Sequence, residues 1–92
     1  MQTYSVAYES NTITENTPNV DPTGCSSITF ENYGDEDILI NGDIKLDIGT
    51  SLVFSNEPYE VIKTKFRVQF AGGGINPKML IIRKYSLPIK IN

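Results

Sequence analysis

From Val61 to Phe70 the residues alternate without a break: Ile62, Thr64, Phe66, Val68 and Phe70 fall on one parity, Lys63, Lys65, Arg67 and Gln69 on the other. A two-residue repeat is the period of an extended strand with one face covered and the other wet. The same pattern returns in Ser26 to Asn32, where Ile28 and Phe30 oppose Ser27, Thr29 and Glu31, and weakly in Tyr4, Val6 and Tyr8. No window places apolar residues at the 3.6-residue spacing of an amphipathic helix. Strands are therefore the material of this fold.

Turn residues divide the strands. Asn41-Gly42 sits between Ile38-Leu39-Ile40 and Ile44-Lys45-Leu46. Both residues tolerate the positive φ of a type I′ turn, which predicts a tight hairpin. Tyr33 to Asp37 turns the chain before it, and Gly49-Thr50 leads into Ser51-Leu52-Val53-Phe54, which Ser55-Asn56-Glu57-Pro58 ends. Ala71 to Pro77, with three glycines in a row, predicts a flexible hairpin tip. The run Met79 to Ile82 is apolar on both parities, as a strand covered on both faces would be. Leu87, Ile89 and Ile91 then alternate with Pro88 and Lys90, and Pro88, lacking an N–H, assigns that segment to a sheet edge. From Glu9 to Gly24, twelve of sixteen residues are Ser, Thr, Asn, Asp, Pro or Gly, so residues 9–24 are expected to form a long loop or a docking arm. Together these signals predict one all-β domain over residues 1–92, an antiparallel β-sandwich of immunoglobulin-like or jelly-roll-like type with about seven strands.

A chain of 92 residues leaves a thin stability margin unless something supplements its core. Cys25 is the sole cysteine and there is no histidine, so neither an internal disulfide nor a Cys/His zinc site is available. Oligomerisation is the remaining support, and the aliphatic row Leu87, Ile89, Ile91 is the surface expected to supply it. The N-terminus has no basic and apolar leader pattern and no stretch is long enough for a membrane helix, which predicts a soluble protein made in a cytosol with no membrane partner.

The sequence offers little for catalysis. Cys25 has no histidine to activate it, and nothing in their spacing singles out a working pair among the eleven carboxylates. Asp35, Glu36, Asp37, Asn41 and Asp43 do not follow a calcium-loop spacing, and a polar turn explains them. Gly72 to Gly74 precede no helix pattern and Lys78 is not followed by Ser or Thr, so no phosphate loop is expected. The expectation is a non-enzymatic protein with no cofactor, no metal and no small-molecule substrate.

Net charge is only −3, but the charges are segregated. All eleven acids lie at or before Glu60 with Lys45 the one base among them, and seven bases and no acid follow. Lys63, Lys65 and Arg67 read as a row of positive charge on one strand face, without the interleaved aromatics of a single-strand nucleic-acid binder. Pairing with Asp43, Asp47 or Glu31, within the subunit or across an interface, is the expected use, and no nucleic acid is expected.

The runs Ile28-Thr29-Phe30-Glu31-Asn32-Tyr33-Gly34, Ile40-Asn41-Gly42 and Leu46-Asp47-Ile48-Gly49-Thr50-Ser51-Leu52-Val53-Phe54, followed by Phe66-Arg67-Val68-Gln69-Phe70 and Leu80 to Tyr85, resemble the strand and turn grammar of immunoglobulin-like bacterial and phage β-sandwiches. Residues 26–85 are similar to short virion proteins of tailed bacteriophages, especially those infecting Bacteroidetes. The resemblance implies a structural role in the virion, assembled in the host cytoplasm: capsid decoration, head fibre or tail accessory. Its partners would be copies of itself and other virion proteins, with Lys63, Lys65, Arg67, Leu87, Ile89 and Ile91 as interface residues. The competing expectation is a small adhesin or carbohydrate-binding module, with Tyr4, Tyr8, Tyr33, Tyr59 or Tyr85 stacking on sugar rings.

Overall fold

The computed structural model describes residues 2–22 and 24–89. Among them it contains eight strands and no helix: β1 (Tyr4–Ile13), β2 (Thr17–Val20), β3 (Ser27–Asn32), β4 (Ile38–Ile40), β5 (Ile44–Leu46), β6 (Ser51–Ser55), β7 (Phe66–Phe70) and β8 (Met79–Pro88). They form two four-stranded sheets of order β1-β8-β3-β6 and β2-β7-β4-β5. Every pairing is antiparallel. The chain is an antiparallel β-sandwich. Of the connections between these strands, only β4 to β5 stays within one sheet.

Alternation accounts for the core. Ile28 and Phe30 of β3, Ile38 and Ile40 of β4, Leu46 of β5, Phe66 and Val68 of β7, and Met79 and Ile81 of β8 are all buried. Phe66 packs edge-on against Phe30 and tilted against Phe54, both at 5.1 Å between ring centroids, and so bridges the two sheets. Asn32 follows the parity of Ile28 and Phe30 and is likewise fully buried. Its Nδ2 donates to the carbonyls of Glu36 (2.9 Å) and Leu46 (3.0 Å), and its Oδ1 accepts from the Gly34 N–H at 3.2 Å. The polar group thus lies inside because each of its side-chain bonds holds a turn.

Four expectations about strand bounds and connections need correction. Residues 9–24 are not one loop or arm: β1 runs on to Ile13 and β2 occupies Thr17–Val20. The ladder of β8 dictates the first of these, because it pairs with β1 over ten residues, of which Glu9 to Ile13 carry no alternating apolar signal of their own. The strand expected from Val61 is β7, and it begins only at Phe66. Residues 56–65 instead cross between sheets, fixed by the Ile62 N–H on the Cys25 carbonyl at 2.8 Å. Ala71 to Pro77 is no hairpin tip, since β7 and β8 belong to different sheets. Finally, Leu87 and Pro88 form no separate edge strand but complete β8.

The molecule is elongated. It measures 56 × 19 × 17 Å with a radius of gyration of 14.8 Å, whereas a compact domain of this length would have about 12 Å. The pairing of β3 with β8 ends at Ser27–Lys84, while β1 and β8 continue together to Tyr4–Pro88. A two-stranded ribbon therefore overhangs one end of the sandwich.

A candidate assembly site on the overhanging ribbon

β1 is exposed at every residue from Ser5 to Thr12, with Tyr8 69% and Val6 48% accessible. It pairs with β8 on one side and lies at the outer edge of its sheet on the other. The Ile89 N–H donates to the Thr3 carbonyl at 2.8 Å, which extends the ladder beyond the regular strand and sets its phase. Thr3 faces Ile89 as a hydrogen-bonded pair, so the odd residues of β1 bond to β8. Tyr4, Val6, Tyr8, Ser10 and Thr12 therefore turn their backbone N–H and C=O groups toward the open edge. Pro88 faces Tyr4 in this register, so its missing donor points away from β1, where no described strand follows β3.

Each face of the ribbon has its own composition. Met79, Ile81, Arg83, Tyr85 and Leu87 share the parity that faces the core, and Ile89 continues it. Tyr85 still packs against the core, but Leu87 is 55% and Ile89 40% exposed. The aliphatic row expected to need a cover is thus a core-type face that runs past the end of the opposing sheet. Ile91, the third member, lies outside the described residues. On the opposite face Tyr8, Ile82 and Val53 lie on adjoining strands through the pairings Ser10–Ile82, Thr29–Ile82 and Thr29–Val53. Leu80 and Ile82 are only half-buried there, so the run Met79 to Ile82 has one covered face rather than two.

The basic residues are arranged differently from a strand row. Lys63 and Lys65 precede β7 and only Arg67 lies on it; all three are exposed. Asp47 is held by Lys45 at 3.4 Å, and Glu31 accepts from the Ser51 hydroxyl. An ion pair that links the acidic and basic parts of the chain joins Arg83 to Glu9 at 3.8 Å.

The acidic turn has a structural task that the sequence did not reveal. Asp35 accepts the N–H groups of Ile75 (2.8 Å) and Asn76 (2.9 Å), and Glu36 accepts that of Gly74 at 2.8 Å. The glycine-rich crossing is therefore fastened by two carboxylates. No group of three potential metal ligands occurs among the described residues. A cleft of about 320 Å³ opens between β5 and β6, lined by Ile44, Phe54, Ile62 and Phe66 with Asn41 and Asn56 among its polar residues. Those two side chains are engaged with the backbone, Asn41 accepting from the Arg67 N–H and Asn56 donating to the Ser26 carbonyl. Cys25 is fully buried, and burial pushes its thiol pKa up, against a smaller opposing effect of Arg83.

Compared with protein-family models, curated proteins and solved structures, the chain gives no match.

Proposed function

We propose that this domain is a non-enzymatic structural module that works by self-assembly and docking, as a capsid decoration, head-fibre or tail accessory protein of a tailed bacteriophage would. The observation that carries the assembly part is the ribbon: a ten-residue edge strand that pairs on one side only, beside a core-type face with no opposing sheet. Natural sandwiches shorten, charge or cover such edges, and this one is long and carries a single charged residue, Glu9. The virion part rests on the resemblance of residues 26–85 described above. Association would add the buried surface that so small a core lacks.

Sedimentation velocity from low to high micromolar concentration tests the assembly reading. A concentration-dependent rise in mass is expected, and a monomer throughout refutes it. The virion reading is tested by co-expression with the products of the flanking genes. A stoichiometric complex with a capsid, portal or tail protein supports it, and flanking genes of unrelated metabolism overturn it.

A further inference from the structure

We infer that the partner at the open edge is a second copy of this chain, whose β1 pairs antiparallel with the first in one register, Tyr8 opposite the partner's Tyr8. This deepens the assembly reading and rests on it. Backbone phase supplies the first constraint. Only Tyr4, Val6, Tyr8, Ser10 and Thr12 offer outward N–H and C=O groups, so a twofold pair must match even residues with even. The two positions in a pair then sum to an even number, so the axis passes through a residue, and the longest overlaps of β1 centre on Ala7, Tyr8 or Glu9.

Charge and overlap choose among them. Centring on Glu9 sets two carboxylates directly opposite one another, which is destabilising. Centring on Ala7 pairs Tyr4 with the partner's Ser10 and leaves Asn11, Thr12 and Ile13 of β1 outside the paired strands. Centring on Tyr8 engages Tyr4 to Thr12 in full, with Glu9 facing the partner's Ala7. All five outward residues are then satisfied, and the two four-stranded sheets become one of eight.

This register also explains the overhang. Related by a twofold axis normal to the sheet, both copies keep their core-type faces on the same side. The Tyr4 end of each ribbon lies beside the partner's Thr12, and Thr3 opposes the partner's Ile13. Ile13 is the point where β1 meets the hydrophobic core. Leu87 and Ile89, uncovered in one copy, are thereby carried toward the end of the partner's sandwich.

Cysteine placement reads the register. A hydrogen-bonded pair has Cα atoms about 5.5 Å apart, within disulfide range, whereas Val6 and the partner's Val6 would be about 14 Å apart. Tyr8→Cys is expected to give a disulfide-linked dimer on mild oxidation, while Val6→Cys and Ser10→Cys do not. Cys25 is buried and does not compete. Tyr8→Pro removes an outward donor and leaves the β1–β8 ladder intact, so it is expected to yield a folded monomer by circular dichroism and sedimentation. An oligomer that survives Tyr8→Pro, or that links through Val6→Cys or Ser10→Cys instead, overturns this pairing while leaving self-assembly standing. A wild-type chain that is monomeric at high micromolar concentration overturns both.

Discussion

The Asn32 side chain donates to the Leu46 carbonyl at 3.0 Å across the interior, joining the end of β3 to the end of β5 on the opposite sheet. The same amide holds Glu36, and the Asn32 backbone bonds the turn that follows β5 through Gly49 (2.8 Å) and Thr50 (3.0 Å). One buried residue therefore sets the geometry from which Asp35 and Glu36 reach the crossing before β8.

Replacing Asn32 with Leu keeps the branched shape, with bulkier methyl groups, but leaves two buried carbonyls and the Gly34 N–H short of a partner. The loss in unfolding free energy should be about 2–4 kcal/mol, given the cost of stranding buried polar groups. Urea denaturation measures it, and a loss below about 1 kcal/mol would show that water takes over these bonds.

Gly34 lies where the backbone of two crossings meets. A Cβ there would run into the Lys78 nitrogen and lie 2.7 Å from the Asn76 carbonyl oxygen, both main-chain atoms that cannot step aside. Gly34→Ala should cost about 1–3 kcal/mol, as overpacking does. At the β4–β5 turn the difficulty is conformational: Asn41 and Gly42 have φ of 56° and 81°. Gly42→Val should cost about 1–2 kcal/mol, since a β-branched residue resists that region. A thermal midpoint unchanged in either variant would contradict the corresponding contact.

Asp35→Ala should loosen the crossing at residues 72–77 without unfolding the sandwich, because it deletes the acceptors of Ile75 and Asn76 while the core stays intact. Amide hydrogen exchange should quicken at Ile75 and Asn76 while the β3 and β8 amides keep their protection. Uniform loss of protection would instead mean that this carboxylate supports the global fold.

Much of this was legible in the sequence, and the misses share a cause. Parity identified the core residues of β3 and β7, and carried one step further it would have placed Asn32 inward, a signal obscured by its polarity. Asn41-Gly42 marked its turn, although Ile40 pairs with Ile44, so the connection has three residues rather than two. The first half of β1 showed only weakly through Tyr4, Val6 and Tyr8, and Glu9 to Ile13 went unseen because alternation reports burial, and a strand exposed on both faces has little to report. Ile62 and Thr64 mimicked the alternation of β7 although neither belongs to a strand, and Pro18 sits in β2 beside a register irregularity at the sheet edge. Which sheet a strand joins is a long-range choice, so β7 and β8 looked like a hairpin although they are not. The ribbon, the basis of the candidate site, follows from pairing rather than from composition.

Stability should fall as the solution becomes alkaline, and Cys25 should account for the start of the fall. Burial holds the Cys25 thiol and, to a lesser degree of enclosure, the Tyr85 hydroxyl above their ordinary pKa values, with the Glu9 carboxylate adding to the effect on Tyr85. The Asp37 and then the Asp47 carboxylates raise the pKa of the Lys45 ammonium. In each case the folded protein keeps its proton to a higher pH than the unfolded chain does. Once pH passes the unfolded pKa, the unfolded state binds fewer protons and stability declines. An unfolded thiol titrates near about 8.5, whereas tyrosine and lysine titrate above about 10. Thermal midpoints should therefore hold steady up to about pH 8 and begin to fall between about 8.5 and 10, with a further fall above that. Cys25→Ala should flatten the first part and leave the second. Lys45 is exposed, and its surface pair should add little to the later part. A decline in the first interval that persists unchanged in Cys25→Ala would assign it to another group and refute the role given to the buried thiol.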